Sequence, residues 1–186
     1  MDTLQSLWEK RSPGWETRYQ KLIETFADYG TGASQYSSSR ARTFGAGYEV
    51  FIIAFFLGLY NNKTRALTED KTKRKTFGFQ IQYWGSSDRP KSGRTPYPKL
   101  RNYIFAALIA RTDVDLLALD KGEITDRKVV DMLIDKMEQY ANWGFAYMSE
   151  KLEEDPNYYF KDAAFLLEFI GFTPKPDNNS QEIEKF

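Results

Sequence analysis

The stretch "VFIIAFFLGLY", residues 50–60, contains no charged side chain and would be apolar all the way round a helix. A helix of this kind is normally buried on every side, because none of its faces suits water. Its eleven residues are too few to cross a membrane, which takes about 20. We therefore predict that residues 48–60 form the central helix of a globular domain and that Asn61 and Asn62 end it.

Apolar residues at three- and four-residue spacing predict further helices before and after this one. Two N-terminal helices are predicted at 3–11 and 15–28, and the second has the stripe Trp15, Tyr19, Leu22, Ile23 and Phe26. A helix at 98–111, with Pro98 in its first turn, has the stripe Leu100, Tyr103, Ile104, Ala107 and Leu108. A short helical turn is predicted within 112–124.

Thr125 and Asp126 are typical of the start of a helix, and a long helix is predicted from there to Asp155. Its inner stripe is Val130, Leu133, Met137, Tyr140, Gly144 and Tyr147. A last helix follows Asp155 and Pro156, with Tyr159, Ala163, Leu167 and Ile170 inside, and ends at Gly171 and Pro174. Residues 31–47 and 85–96 are predicted loops because they are rich in Gly, Ser and polar residues.

Residues 77–84 differ from the rest of the chain because apolar and polar side chains alternate there. Strict alternation indicates a strand with one buried face, here Phe77, Phe79, Ile81 and Tyr83. With residues 63–67 as its partner, this strand would form a hairpin. The sequence thus predicts an all-α, single-domain bundle of about six helices around 48–60, with a small β-hairpin near 63–84. The domain is expected to cover residues 1–172, and 173–186 a mobile tail.

The chain contains neither cysteine nor histidine. This excludes disulfides, thiolate or imidazole catalysis, and the Cys/His zinc sites. We predict no catalytic residue, no metal and no cofactor. A magnesium-dependent hydrolase built on Asp131, Asp135 and Glu138 is a third, remote hypothesis, because these carboxylates lie opposite the apolar stripe of their helix and indicate a solvated face.

Charge is distributed unevenly although the net charge is zero. Residues 40–101 hold 13 Lys and Arg against 4 Asp and Glu, residues 102–186 hold 9 against 17, and residues 1–39 hold 4 against 5. Such asymmetry is typical of a face that binds nucleic acid or a charged partner. It is equally typical of two halves that attract each other within the fold.

The cations of the middle third are the candidate binding residues. The run at residues 71–75 would lie at the tip of the hairpin, and further cations precede and begin the helix at 98–111, where they oppose the helix dipole unless an anion is bound. Aromatic side chains near both groups are candidates for stacking on bases. The predicted nucleic-acid-binding residues are Lys71, Lys73, Arg74, Lys75, Tyr83, Trp84, Arg89, Lys91, Arg94, Lys99 and Arg101, with Tyr97 as a further stacking candidate.

Glu49 is the one carboxylate next to the apolar run of the central helix, and a buried carboxylate needs a partner. Arg40 and Arg42 are the predicted partners, and a structural ion pair is the expected role.

The leading hypothesis is a small nucleic-acid-binding or accessory protein that uses a basic 63–101 surface to contact the phosphates of DNA or RNA. The alternative is an interaction subunit whose basic centre binds an acidic protein or a second copy of the chain. The first twenty residues lack the apolar core of a signal peptide, so a cytoplasmic location without a membrane partner is expected.

Overall fold

The structure is a computed structural model that describes residues 2–27, 44–85, 98–160 and 168–169. Within these ranges it contains six α-helices and one antiparallel sheet of two short strands. The helices are α1 (Leu4–Glu9), α2 (Gln20–Phe26), α3 (Gly47–Tyr60), α4 (Pro98–Arg111), α5 (Leu116–Asp120) and α6 (Asp126–Glu154). The strands are β1 (Gly14–Glu16) and β2 (Arg74–Thr76). The chain is therefore mostly helical, as its sequence predicts.

Helix α3 confirms the prediction of a buried apolar helix, since most of its side chains are out of contact with water. It packs antiparallel on α6, with Gly58 against Tyr140 and Ala54 against Gly144. A Cβ atom on Gly58 would come within 2.2 Å of the carbonyl oxygen of Tyr140, and one on Gly144 within 1.9 Å of that of Ala54. The two backbones therefore approach so closely that only glycine fits at either position.

The predicted helix at 15–28 is wrong in its first part. Trp15 belongs to β1, residues Thr17–Tyr19 form a 3₁₀ turn, and α2 begins only at Gln20. All five residues of the predicted stripe are nevertheless buried. Helical spacing of apolar residues reported their burial correctly, whereas pairing with β2 and the contacts of Glu16 decided the local conformation.

The predicted hairpin at 63–84 is also wrong, because β2 pairs with β1 instead. The register joins Gly14 to Thr76, Trp15 to Lys75 and Glu16 to Arg74. Residues 77–84 do not form a strand, since Gly78 has a φ of 71° and Ile81–Tyr83 form a 3₁₀ turn. Phe77, Ile81 and Trp84 are buried, and Phe79 and Tyr83 are exposed, so the alternation in the sequence does not correspond to two faces of a strand.

The C-terminal half follows the prediction more closely. Thr125 accepts a hydrogen bond at its hydroxyl from the backbone N–H of Lys128, which starts α6 at the predicted place. Short α5 precedes a turn at Gly122, where φ is 74°. Beyond α6, residues Tyr158–Phe160 form a 3₁₀ turn.

Glu168 fastens the last described residues to α6. Its carboxylate accepts hydrogen bonds from the hydroxyl of Tyr147, at 2.8 Å, and from that of Tyr158. The bond to Glu168 raises the pKa of Tyr158 to about 12. Most of the predicted last helix, the loops at 31–43 and 86–96, the domain boundary at 172 and the tail lie outside the described residues. No helix in the described ranges has both the length and the apolar character that crossing a membrane requires.

Candidate nucleic-acid interface

The central feature of the site is the segment from Lys63 to Lys75, which we call the basic segment. It contains six cations and two carboxylates, and all of the cations except Arg74 are exposed. Apart from Leu67, which is buried, and Thr68 and Arg74, which are half-buried, its side chains lie in solvent. None of it is α-helical. Its position therefore depends on hydrogen bonds to the rest of the fold, including those of β2 to β1.

Glu16 of β1 holds the middle of the basic segment. This carboxylate is buried, and one of its oxygens accepts hydrogen bonds from the backbone N–H of Thr68, at 2.8 Å, and from the side-chain amide of Asn142, at 3.0 Å. Its other oxygen pairs with Arg18 at 2.6 Å. A buried carboxylate is tolerated when its oxygens are all engaged in this way.

Asn142 of α6 completes this group, which we call the polar hub: Glu16, Arg74, Asn142 and the backbone of residues 65–68. The amide of Asn142 also donates to the carbonyl oxygens of Ala66, at 2.9 Å, and of Arg65, at 3.3 Å. The backbone N–H of Arg65 in turn donates to the carbonyl of Gln139 on α6, at 3.0 Å. The hub thus fixes the basic segment to the most extensively buried helix pair of the fold.

Arg74 is part of the hub, and its bonds to the fold compete with its predicted role in binding phosphate. Its guanidinium donates to the carbonyl oxygens of Thr68 and Leu67. It lies opposite Glu16 in the sheet. Both residues hold Thr68, because Glu16 accepts its backbone N–H and Arg74 donates to its carbonyl oxygen.

Lys71, Lys73 and Lys75 are exposed, as the hypothesis requires. Lys73 lies 3.3 Å from Asp70 and keeps 69% of its side chain in solvent. Lys75 reaches the side-chain oxygen of Gln20 at 2.9 Å, a neutral partner that leaves its charge uncompensated. These three lysines are therefore exposed cations of the basic segment that can contact an anion.

Arg18 and Arg65 join the same neighbourhood, although sequence reasoning did not select them. The guanidinium of Arg18 lies over the ring of Tyr19 at 4.8 Å. Both arginines are exposed. Burial raises the pKa of Tyr19, and the charges of Arg18 and Arg65 act to lower it. Arg18 pairs with Glu16 of the polar hub, and the carbonyl of Arg65 accepts from Asn142 of the same hub, so both cations belong to its neighbourhood.

Trp84 is not available for stacking on a base, which corrects the prediction that it would stack. It is 1% exposed and lies parallel to the ring of Tyr48, with centroids 5.5 Å apart. Tyr83 is 53% exposed and keeps its predicted availability.

Arg101 also serves the fold, so its bonds there compete with its predicted role in binding an anion. Its guanidinium donates to the carbonyl oxygens of Gln82 and Trp84 and lies 3.6 Å from Glu9. It thereby closes the turn at Ile81–Tyr83 against α4. Lys99, in the first turn of α4, is exposed. Tyr83 thus lies in the turn that α4 holds and Lys99 lies in α4 itself, whereas Lys75 lies in the sheet and Lys71 and Lys73 in the 3₁₀ turn that precedes it.

Arg89, Lys91, Arg94 and Tyr97 lie outside the described residues, as do Arg40 and Arg42. Glu49, for which the last two are the predicted partners, accepts hydrogen bonds from the backbone N–H groups of Gly45, at 2.7 Å, and Ala46, at 3.3 Å. It therefore satisfies free N–H groups at the start of its own helix.

Three carboxylates of α6 have partners other than the lysines of the basic segment. Asp131 pairs with Arg11 at 2.6 Å, and Asp135 accepts a hydrogen bond from Gln139 at 2.7 Å. Glu138 lies inward of the predicted outer face and accepts the backbone N–H of Gly14 at 2.6 Å. In the part of the chain that the structure describes, no group of three or more acidic side chains is placed to hold a metal ion.

The chain has no significant match among known family models, curated proteins or solved structures.

Proposed function

We propose that this protein is a small accessory protein of the cytoplasm that binds nucleic acid through Lys71, Lys73 and Lys75 and the neighbouring cations Arg18 and Arg65. The observation that carries the proposal is the exposure of the three lysines and Arg65 on a segment fixed by the polar hub, together with the exposure of Arg18, which pairs with Glu16 of that hub. Clustered like charges raise the free energy of the folded state, and an anion relieves this repulsion. We further propose that the helices form one bundle around residues 48–60.

Phosphate is the anion that this surface suits best. Lysine ammonium groups bind phosphates as point charges, and each neutralised phosphate releases counterions into solution. A fixed segment loses less conformational entropy on binding than a mobile one, so its lysines favour an extended, repeating anion. Residues 63–75 contain no aromatic side chain, and Trp84 is buried. Contact with the sugar-phosphate backbone, independent of sequence, is therefore the expected mode.

The test is the salt dependence of binding to a short fluorescein-labelled DNA duplex and to a labelled RNA of equal length. Replacing the three lysines together (K71Q, K73Q and K75Q) removes three phosphate contacts, so the slope of log K against log salt should fall in magnitude by about 3 on duplex DNA. Fluorescence anisotropy at several salt concentrations measures this slope.

The matched control (K121Q, R127Q and K128Q) removes three exposed cations, Lys121 in the turn after α5 and Arg127 and Lys128 in the first turn of α6. Arg127 is eleven residues from Glu138, or about 16 Å along the helix. This control changes the net charge equally and should leave the slope nearly unchanged. Equal loss in both variants, or absence of binding by the unmodified protein at low salt, would refute the proposal.

Competition separates the alternative function from the leading one. If the basic surface binds an acidic protein instead, poly-L-glutamate should displace the protein from DNA at an equal concentration of negative charge. We expect DNA and RNA to compete more strongly, because phosphates repeat at a closer spacing on a stiffer chain.

A further inference from the structure

Glu138 is a carboxylate that lies where α6 meets the sheet formed by β1 and β2. It comes from α6, and its side chain reaches the backbone N–H of Gly14 at 2.6 Å. Its oxygen and the carbonyl oxygen of Lys75 both lie within 4 Å of the position that a Cβ atom on Gly14 would take. Gly14 pairs with Thr76 in the sheet. Glu138 is therefore next to the backbone of the basic segment on its inner side.

Charged groups from each neighbouring element act on Glu138. Burial raises the pKa of its carboxyl group from 4.5 to about 6. The hydrogen bond from Gly14 and the charges of Arg74 on β2 and Arg11 after α1 act to lower it, and Asp135 on α6 adds to the rise. Asp131 faces the same side but is paired with Arg11. Arg74, Arg11 and Asp135 act on the carboxyl group in both directions, so burial, the largest effect, decides the direction.

Glu138 is unusual because the chain lacks the side chains that ordinarily titrate near neutral pH. Histidine ordinarily titrates between pH 5 and 8, and the chain has none; it also has no cysteine. The phosphodiesters of nucleic acid keep their charge throughout this range. Among the described side chains, Glu138 is the one whose raised pKa lies near pH 6.

We propose that Glu138 couples polyanion binding to proton uptake: the basic segment binds more tightly when Glu138 is neutral and less tightly when it is ionised. This inference rests on the proposed function and assigns its regulation. A neutral Glu138 still accepts the Gly14 N–H through its carbonyl oxygen, so the sheet stays in place. What changes is one negative charge beside Arg74 and behind Lys75. By linkage, a bound polyanion raises the affinity of Glu138 for its proton to the same extent.

The expected change in affinity is about threefold between pH 7.5 and pH 5, which is the effect of one unit charge on another at about 7 Å in water. The isosteric variant E138Q keeps the acceptor for Gly14 and carries no charge at either pH. It should bind the labelled duplex at pH 7.5 as tightly as the unmodified protein does at pH 5, with little further change on acidification.

The control is E150Q, which removes an exposed carboxylate from the same helix. It should keep the pH dependence of the unmodified protein. Binding that is independent of pH in the unmodified protein, or an unaltered pH dependence in E138Q, would overturn the inference while leaving the proposed function standing. Absence of binding at both pH values would overturn the proposed function and the coupling together.

Thermal stability gives a second readout that needs no ligand. The folded state holds the proton of Glu138 up to about pH 6, whereas an unfolded chain releases it near 4.5, so the fold gains stability as the pH falls through this interval. The melting temperature of the unmodified protein, relative to that of E138Q, should rise by about 3 °C from pH 7.5 to pH 5. A constant difference between the two proteins across this range would show that Glu138 does not bind the proton.

Discussion

The contact between α3 and α6 and the polar hub are both built on α6, but different forces hold them. In the first, Gly58 and Gly144 let the apolar helix α3 and the buried face of α6 meet backbone to backbone. In the second, Glu16 and Asn142 hold an exposed segment by hydrogen bonds to its peptide groups. The contact between α3 and α6 depends on the space between the two backbones, and the polar hub depends on the pairing of its polar atoms. One helix can therefore support a tightly packed core and a charged surface within a few turns.

Filling the space between α3 and α6 should have the largest effect on stability. In G144A the added Cβ would lie 1.9 Å from the carbonyl oxygen of Ala54, and neither backbone can yield without moving its helix. We expect the free energy of unfolding to fall by about 3–5 kcal/mol, measured by urea denaturation. The gain in helix propensity from Gly to Ala, about 1 kcal/mol, acts in the opposite direction and is outweighed.

Gly122 is the control for this substitution. It lies in the turn between α5 and α6 with φ at 74°, and a Cβ atom there would meet nothing within 4 Å. G122A should therefore cost about 1 kcal/mol, from backbone conformation alone. If G144A were as mild as G122A, the two helices would be separated more widely than the structure shows.

Much of the helical fold could be predicted because the apolar run of α3 and the apolar stripe of α6 are buried. The predicted stripe of α4 is wrong at Tyr103, which is 69% exposed, although Ile104 and Leu108 are buried. Thr125 and the run at 50–60 are clear local signals, and both appear where expected. The pairing of β1 with β2 could not be predicted, because it joins residues about sixty positions apart whose strands are three residues long. Strands this short contain too few residues for alternation to be visible.

Removing the acceptor at the centre of the polar hub should be the next most damaging change. In E16A, the N–H of Thr68 and the amide of Asn142 lose a buried acceptor, and Arg18 loses its partner. Unpaired buried donors are costly, so we expect the free energy of unfolding to fall by about 2–4 kcal/mol. Amide hydrogen exchange should accelerate at residues 65–68 before it does in α3.

Glu154 is the matched control for Glu16. It also pairs with a cation, Lys151, at 3.3 Å, but its side chain is 70% exposed. E154A should change the free energy of unfolding by less than about 0.5 kcal/mol, because water replaces the partner at an exposed site. Similar losses in both variants would mean that Glu16 is hydrated and that the hub does not depend on burial.

The hub also shows why the candidate site could be predicted only in part. Charge composition selected the segment that the proposal uses, and Lys71, Lys73 and Lys75 are exposed there. Composition does not distinguish a cation that faces solvent from one that binds backbone carbonyls, so the sequence did not reveal that Arg74 and Arg101 donate to the fold. The sequence does contain one indication of the hub. Asn142 is the single amide within "YANWGFAYM", residues 140–148, and a polar side chain in such a run marks a buried hydrogen bond.

The smallest expected effect on stability is that of D70N, a substitution that changes the charge of the basic segment and leaves its structure in place. Asp70 caps the turn at Lys71–Lys73: its carboxylate accepts the backbone N–H of Thr72 at 3.0 Å and the Thr72 hydroxyl at 2.6 Å. These bonds lower the pKa of Asp70, and Lys73 lowers it further. In D70N the amide oxygen still accepts the Thr72 N–H, so the melting temperature should not change measurably, while one negative charge leaves the basic segment.

The duplex should therefore bind D70N about threefold more tightly than the unmodified protein, the reverse of the effect of K71Q, K73Q and K75Q. The same anisotropy titration measures both, at a single low salt concentration. Because D70N adds no new contact, tighter binding has to come from the potential at the segment. Unchanged affinity with an unchanged melting temperature would mean that the polyanion binds elsewhere on the protein, however well the polar hub holds these lysines in place.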